Sequence, residues 1–209
     1  MPEWDDIFRE KGHVFIEPHP EMERLIKIFH TRKVHRILDL GCGTGRHIIY
    51  FSERGFQMYG TDASESAIEL SKEWVKESNL TAHLEIHRME QSFPFDDDFF
   101  DALISIQVIH HNLISDILRT IHEIRRVVRE GGVIFISVPI LTNDPVLPED
   151  DWGLIEIEQG TFLPRKGPES GIPHHYFTAD ELNQVLTGFD ILEMFLDESN
   201  HRCVIAVKK

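Results

Sequence analysis

The sequence predicts an α/β domain, a mostly parallel sheet with helices on both faces. Three observations predict it. Short apolar runs rich in Ile, Leu and Val alternate with amphipathic segments of helical period. A glycine-dense turn, Gly41-Cys42-Gly43-Thr44-Gly45, separates an apolar run from a helical one. Two further strand-like runs close the chain, near enough to pair as a hairpin.

Taken in order, residues 21–31 (EMERLIKIFHT) read as a short leading helix, RILDL (36–40) as a buried strand and residues 45–54 as a helix. FQMYGT (56–61) is a second strand, followed by a helix over 65–78 with Ile68, Leu70, Trp74 and Val75 on or near one face. HLEIHR (83–88) and DALISI (101–106) are the third and fourth strands. A long helix covers 115–129, where Ile117, Leu118, Ile121, Ile124, Val127 and Val128 recur at three- and four-residue steps. Gly131-Gly132 are expected to end it as left-handed caps, and VIFISVP (133–139) to form the fifth strand.

Residues 140–177 break this rhythm, with several prolines and glycines and the acidic cluster Glu149-Asp150-Asp151. So long an irregular stretch inside a compact domain reads as a functional loop or lid. Regularity then returns. Thr178 and Glu181 fit a capping box, with Phe177 and Leu182 placed as its hydrophobic staple. FDILEMFL (189–196) and HRCVIAVKK (201–209) are the closing strands. With no internal repeat, residues 1–209 read as one domain carrying an insertion at about 140–177.

The chain has 36 acidic against 21 basic side chains, and a formal charge of −15 disfavours general nucleic-acid binding. Arg125, Arg126 and Arg129 lie at helical spacing beside Glu123 and Glu130 and read as a solvated helix face, and Asp96-Asp97-Asp98 as a solvated turn. Cys42 and Cys203 give no disulfide framework and read as buried thiols in a reducing compartment. The start, MPEWDDIFREKG, has no basic end followed by an apolar stretch, and no apolar run approaches the ~20 residues of a membrane span. The expectation is a cytoplasmic protein with no membrane partner.

The glycine turn carries the chemistry. Glycine permits positive φ and lets a ligand lie against bare backbone, and the helix start beyond it offers free N–H groups. Asp62, 21 residues after Gly41 at the end of the second strand, suits a carboxylate that accepts from ribose hydroxyls. The run is G-x-G-x-G, which departs from the dinucleotide fingerprint G-x-G-x-x-G. Asp39, two positions before it, is an odd neighbour for a pyrophosphate and a sensible one for a ligand bearing an ammonium and a sulfonium.

Here the chain resembles the class I S-adenosylmethionine-dependent methyltransferases. The resemblance rests on Asp39 to Gly45, on Asp62 in GTDAS, on FPFDDDFFDALIS (93–105) and on REGGVIFISVP (129–139). QVIHHN (107–112) and GIPHHYFTADEL (171–182) look most like small-molecule enzymes of the tellurite-resistance type. The resemblance implies a single Rossmann-like domain, a seven-stranded, mostly parallel sheet with one antiparallel strand, and S-adenosyl-L-methionine as cofactor. It implies that Gly41, Cys42, Gly43, Gly45 and Arg46 hold the methionine part, that Asp39 helps fix its amino group, and that Asp62 takes the ribose with Ala63 against the adenine. Met89 and Glu90 would border the adenine, and Ile106 and Gln107 the methionine chain.

Two histidine groups stand where such enzymes hold their acceptor. His110-His111 follow the fourth strand, and His174-His175-Tyr176 end the insertion. Imidazole takes up a proton near neutral pH, so His111 and His175 are candidate catalytic groups, with His110, His174 and Tyr176 as substrate contacts. The alternative is that these rings cap helices or fill hydrogen-bonded niches. The pairs lack i, i+4 spacing or Cys-x-x-Cys partners, so no metal site is expected. The expected function is methyl transfer to a small molecule. Alternatives are a non-catalytic cofactor-binding protein, or a methyltransferase acting on tRNA or protein through a partner. A nicotinamide oxidoreductase is disfavoured, because Tyr176 is followed four positions later by Asp180 rather than lysine.

Overall fold

The computed structural model of the chain describes residues 4–141 and 152–209. The acidic cluster at 149–151 lies outside the described residues. Two helices lead, α1 (Trp4–Lys11) and α2 (Met22–Thr31). Then come β1 (Arg36–Leu40), α3 (Arg46–Ser52), β2 (Gln57–Asp62), α4 (Glu65–Glu77), β3 (Ala82–Ile86), β4 (Phe100–Ile106), α5 (Ile114–Val127) and β5 (Val128–Pro139). The insertion forms β6 (Ile155–Glu158), β7 (Thr161–Leu163) and β8 (His174–His175), and the chain ends with α6 (Ala179–Val185), β9 (Phe189–Leu196) and β10 (His201–Lys208).

The main sheet has seven strands in the order β3-β2-β1-β4-β5-β10-β9. β1 to β5 run parallel, and β10 is antiparallel to both β5 and β9. β4 lies in the middle, so every one of its residues is buried. Strand alternation divides the core. Leu38, Leu103, Ile134 and Ile136 face Ile117, Ile121, Ile124 and Leu182 of α5 and α6. Ile37, Ala102, Ile104 and Phe135 face Leu25, Phe29, Ile48, Phe51 and Ile68 of α2, α3 and α4. Each such side chain contributes about 1.5–3 kcal/mol on burial. Among the described residues no helix is long and apolar enough to cross a membrane. Cys42 and Cys203 are buried and unpaired, and burial pushes the Cys203 thiol up to about 12.

Several expectations are corrected. α5 ends at Val127, and Gly131-Gly132 sit inside β5 rather than capping the helix. Gly131 takes φ +71° where the β4–β5 register steps from Phe100↔Val128 to Ala102↔Val133. At Gly132 a Cβ would lie 3.0 Å from the Asp101 carbonyl oxygen, so the close approach of β4 demands glycine. α1, which the sequence reading passed over, and the three-stranded sheet β6-β7-β8 give regular structure to stretches read as irregular. The capping box is half made. Thr178 Oγ1 accepts from the Glu181 N–H at 3.1 Å, while the Glu181 carboxylate turns to His175 Nε2 at 3.0 Å.

Arg125 is exposed as expected, but Arg126 and Arg129 are tied into the fold. Arg126 binds the Glu123 carboxylate and donates to the Phe93 and Phe95 carbonyls, and Arg129 Nε donates to Asp101 Oδ1 at 2.7 Å. The triple-aspartate turn is solvent-exposed as expected, with Asp97 paired to Arg126 and Asp98 to Lys208. Arg126 beside Glu123 holds its carboxyl down at about 2, below its ordinary 4.5. A carboxyl lowered by folding contributes stability that is present above its ordinary range and lost as pH falls through the lowered value. Glu123→Gln is therefore expected to cost about 2 kcal/mol at neutral pH, a difference that closes toward pH of about 2. Urea unfolding at pH of about 7 and about 3 reads this directly, and an equal loss at both would exclude the ion pair as its source.

Candidate functional site

The carboxyl ends of β1, β2 and β4 meet at the glycine turn. Gly41, Gly43 and Gly45 all take positive φ, at 75°, 53° and 96°. Two of them also make room for the protein itself. A Cβ on Gly41 would lie 2.3 Å from the Val108 side chain, and one on Gly45 2.3 Å from Ser71 Oγ of α4. The turn is therefore pressed between the loop after β4 and α4, and its shape is fixed before any ligand arrives.

Asp62 organises this turn. Its Oδ2 accepts from the Gly43 N–H and its Oδ1 from the Ser64 N–H, both at 2.9 Å. Two bonds leave lone pairs free on a carboxylate that has about four acceptor positions. Ala63 beside it is exposed. Asp39 is buried at 1% exposure, and its Oδ2 has no hydrogen-bond partner. Burial pushes its carboxyl up to about 7, with Arg46 working against the rise and Asp62 adding to it. His47, which the sequence reading did not single out, stands near it. The His19 backbone N–H donates to His47 Nε2 at 3.1 Å, which leaves the Nδ1 proton of the neutral ring 3.8 Å from Asp39 Oδ2, beyond a hydrogen bond. Arg46 donates to the Glu17 carbonyl at 3.1 Å.

Helix α1 crosses this mouth. Asp5 Oδ1 accepts from Ser64 Oγ at 2.7 Å and from the Ser66 N–H at 2.9 Å, at the start of α4. The Phe8 ring lies 3.5 Å from where a Cβ on Gly43 would be, and the Trp4 ring is 5.6 Å from that of His111. Of the expected adenine neighbours, Met89 is partly buried on the core and Glu90 accepts from Arg88 Nε at 2.6 Å. Ile106 ends β4. Gln107 takes φ +58°, unusual for a non-glycine, with its N–H held by the Ser137 carbonyl at 2.9 Å and its Nε2 by Ser137 Oγ at 2.7 Å. That strain re-aims the chain toward Val108 and the histidines.

The fold then joins segments about sixty residues apart in sequence. The His175 N–H donates to the His110 carbonyl at 2.8 Å, pinning β8 against the loop after β4. Glu158 Oε1 accepts from the Ile114 N–H at 2.7 Å and from Thr161 Oγ1 at 2.9 Å, so the small sheet caps α5. His110, His111 and His174 come together, with one ring nitrogen of each within 4.8 Å of the others. Trp152 and Tyr176 lie 6.2 and 6.4 Å from His174 by ring centroid. Glu169 lies beside two of these rings, with Oε2 2.5 Å from His174 Nε2 and 3.5 Å from His111 Nε2. Burial pushes the Glu169 carboxyl up, but the hydrogen bonds to His111 and His174 outweigh that and hold it at about 2. Burial pushes both His110 and His111 toward the neutral form.

His175 is the exception. It is fully buried, its Nδ1 meets Thr161 Oγ1 at 2.7 Å and its Nε2 meets Glu181 Oε1 at 3.0 Å. With both nitrogens engaged by the scaffold, the catalytic expectation for His175 is corrected to a structural one.

Strand order, antiparallel closing strand and glycine turn together define a Rossmann-like domain of the class I methyltransferase kind. Residues 37–132 match the family model described as methyltransferase domain, and this stretch is similar to the class I S-adenosylmethionine-dependent methyltransferases, whose cofactor is S-adenosylmethionine. An uncharacterized methyltransferase, YcgJ, of Bacillus subtilis is 28% identical over 144 residues, covering 69% of this chain and 55% of its own length. A ubiquinone biosynthesis O-methyltransferase of Mesorhizobium japonicum is 30% identical over 102 residues, covering 49% of this chain and 40% of its own. The chain spans about half the length of the curated relatives it matches. In fold it is similar to the crystal structure of a SAM-dependent methyltransferase from Methanosarcina mazei, with a TM-score of 0.75 at 22% identity over 92% of this chain and 98% of that one.

The residues present fit this cofactor on their own chemistry. Asp39 carries a buried carboxylate oxygen with no partner, which a cationic amino group would satisfy. A second carboxylate, Asp62, keeps free acceptor positions one strand away.

Proposed function

We propose that this chain transfers a methyl group from S-adenosylmethionine to a small-molecule acceptor held at the histidine cluster. When bound, the cofactor supplies a methyl group activated by sulfonium charge. Asp39 and Arg46 would set the methionine end, Cys42 and the glycine backbone would lie along it, and Asp62 would hold the ribose. Ala63, Met89 and Glu90 would border the adenine, with Ile106 and Gln107 beside the methionine chain. Helix α1 and the sheet β6-β7-β8 would act as covers that exclude water, and the rest of the chain's work is alignment, the source of effective-concentration gains.

The observation that carries the acceptor site is the meeting of His110, His111 and His174 with Glu169, Trp152 and Tyr176 beside the loop after β4. Partly aromatic surroundings with a few convergent polar groups suit a small molecule. The O-methyltransferase named above acts within ubiquinone biosynthesis, and the net charge of −15 agrees with an acceptor other than a nucleic acid.

His111 is the half-buried ring of the cluster and faces Trp4 of α1. His111→Ala is expected to lower the single-turnover rate of methyl transfer at least about tenfold while changing cofactor affinity less than about twofold. A screen of phenolic, amine and thiol acceptors with labelled cofactor supplies the assay. No turnover on any acceptor, with tight cofactor binding, would instead indicate a binding protein.

A further inference from the structure

We infer that His110, His111 and His174 bind a divalent transition-metal cation such as Zn2+, with Glu169 beside His111 and His174 to orient their rings. The donors come from two separate segments, and sequence spacing gave no sign of them. One nitrogen of each ring lies within 4.8 Å of the other two. Tetrahedral zinc with bonds of about 2.0–2.1 Å places its donors about 3.3 Å apart. The ring centroids are 3.8 Å apart for His110 and His111, 4.7 Å for His111 and His174, and 5.5 Å for His110 and His174.

Two further observations point to a ligand. His110 Nδ1 is buried and has no hydrogen-bond partner. Such an orphan costs about 1–3 kcal/mol, which a bound ion offsets. His174 Nδ1 meets the Ile172 carbonyl at 2.9 Å. A carbonyl can only accept, so the ring carries a proton on Nδ1, and Nε2 is the nitrogen turned to the Glu169 carboxylate, 2.5 Å away. An N–H to a backbone carbonyl on the far side of the ring is also the arrangement that orients a metal-ligating histidine. The donors are imidazoles, a set suited to Zn2+, Co2+ and similar borderline ions. The excess of acidic residues favours uptake of a cation.

The inference deepens the acceptor end of the proposed methyl transfer, where a bound cation would ligate an acceptor's oxygen or sulfur. It rests on that reading for this role alone, and not for binding. The test is therefore made without cofactor. The full chain, stripped with a chelator, is titrated with Zn2+ by calorimetry and with Co2+ by visible absorption. The expected result is one equivalent of Zn2+ per chain and the intense absorption of four- or five-coordinate Co2+ with nitrogen and oxygen donors. His111→Ala and His174→Ala should each weaken Zn2+ binding by more than about a hundredfold, and Glu169→Gln by about tenfold. His19→Ala should leave it unchanged, because His19 belongs to a separate group with Asp197 and Cys203. No Zn2+ uptake by folded wild-type chain would overturn the inference, as would uptake indifferent to both cluster variants and to Glu169→Gln, or uptake abolished by His19→Ala. Circular dichroism and S-adenosylmethionine affinity, measured on the metal-free proteins, separate site loss from misfolding. Failure of the wild-type chain to bind the cofactor would count against methyl transfer and leave the metal result standing.

Discussion

Asp62→Ala is expected to weaken S-adenosylmethionine binding by about a hundredfold while the chain stays folded. Two causes add. The carboxylate would lose its charge-assisted bonds to the ribose hydroxyls, each worth about 1.5–3 kcal/mol. Its existing bonds to the Gly43 and Ser64 N–H groups, both 2.9 Å, would vanish too, freeing the turn that the methionine part must meet. Asp62→Asn separates them, because the amide keeps an acceptor for one N–H but loses the charge. Calorimetry should rank wild type above Asn above Ala. Equal affinities across the three would move the ribose contact elsewhere and take the proposed cofactor geometry with it.

Asp39→Asn should trade affinity for stability. In the free protein, burial holds the Asp39 carboxyl at about 7 instead of 3.8. A carboxyl raised by folding favours the native state while protonated, and that favour is lost as pH climbs from the ordinary value through the raised one. Above it the buried anion costs about 4 kcal/mol, at 1.36 kcal/mol per pH unit. Asparagine carries no such cost, less about 2 kcal/mol for a buried amide with unmet bonds. The variant should therefore unfold about 2 kcal/mol harder than wild type at pH of about 8, and no harder at pH of about 5. Cofactor binding runs the other way. A cationic amino group needs the anion, so wild-type affinity should rise with pH through about 7 and fall again only where the ligand's own ammonium deprotonates. The groups facing Asp39 are Arg46, His47 and Asp62. Burial pushes His47 well below its ordinary range, so the rising limb belongs to the carboxyls, Asp39 first and Asp62, which burial also pushes up, beside it. A rising limb that survives in Asp39→Asn would assign it to another group.

The two carboxylates were legible because each sits at the end of an apolar run, a fixed distance from three glycines. Why the glycines are needed was legible only in part. Ligand approach explains the motif, yet Gly41 and Gly45 are also required by Val108 and Ser71, residues that no local pattern ties to them. Gly131-Gly132 followed a helical period and looked like its cap. The period actually ran out at Val127, and the glycines serve a bulge against β4, a partner some thirty residues earlier. α1 was missed because WDDIFREK is polar over most of its length, and only Phe8 is buried. It is held by Asp5 on Ser64 and Ser66, contacts made across the fold.

The sequence by itself determined the sheet, its parallel run and closing hairpin, the crevice at the strand ends and the two carboxylates that line it. Those features follow from residue period and from glycine's freedom at positive φ, both local properties of the chain. Only the tertiary structure decided what the histidines do. It brought His110, His111 and His174 together, set Glu169 against the last two, and sealed His175 between Thr161 and Glu181. Adjacent residues in a strand point to opposite faces, so neighbours as alike as His174 and His175 take different fates according to what packs on each side.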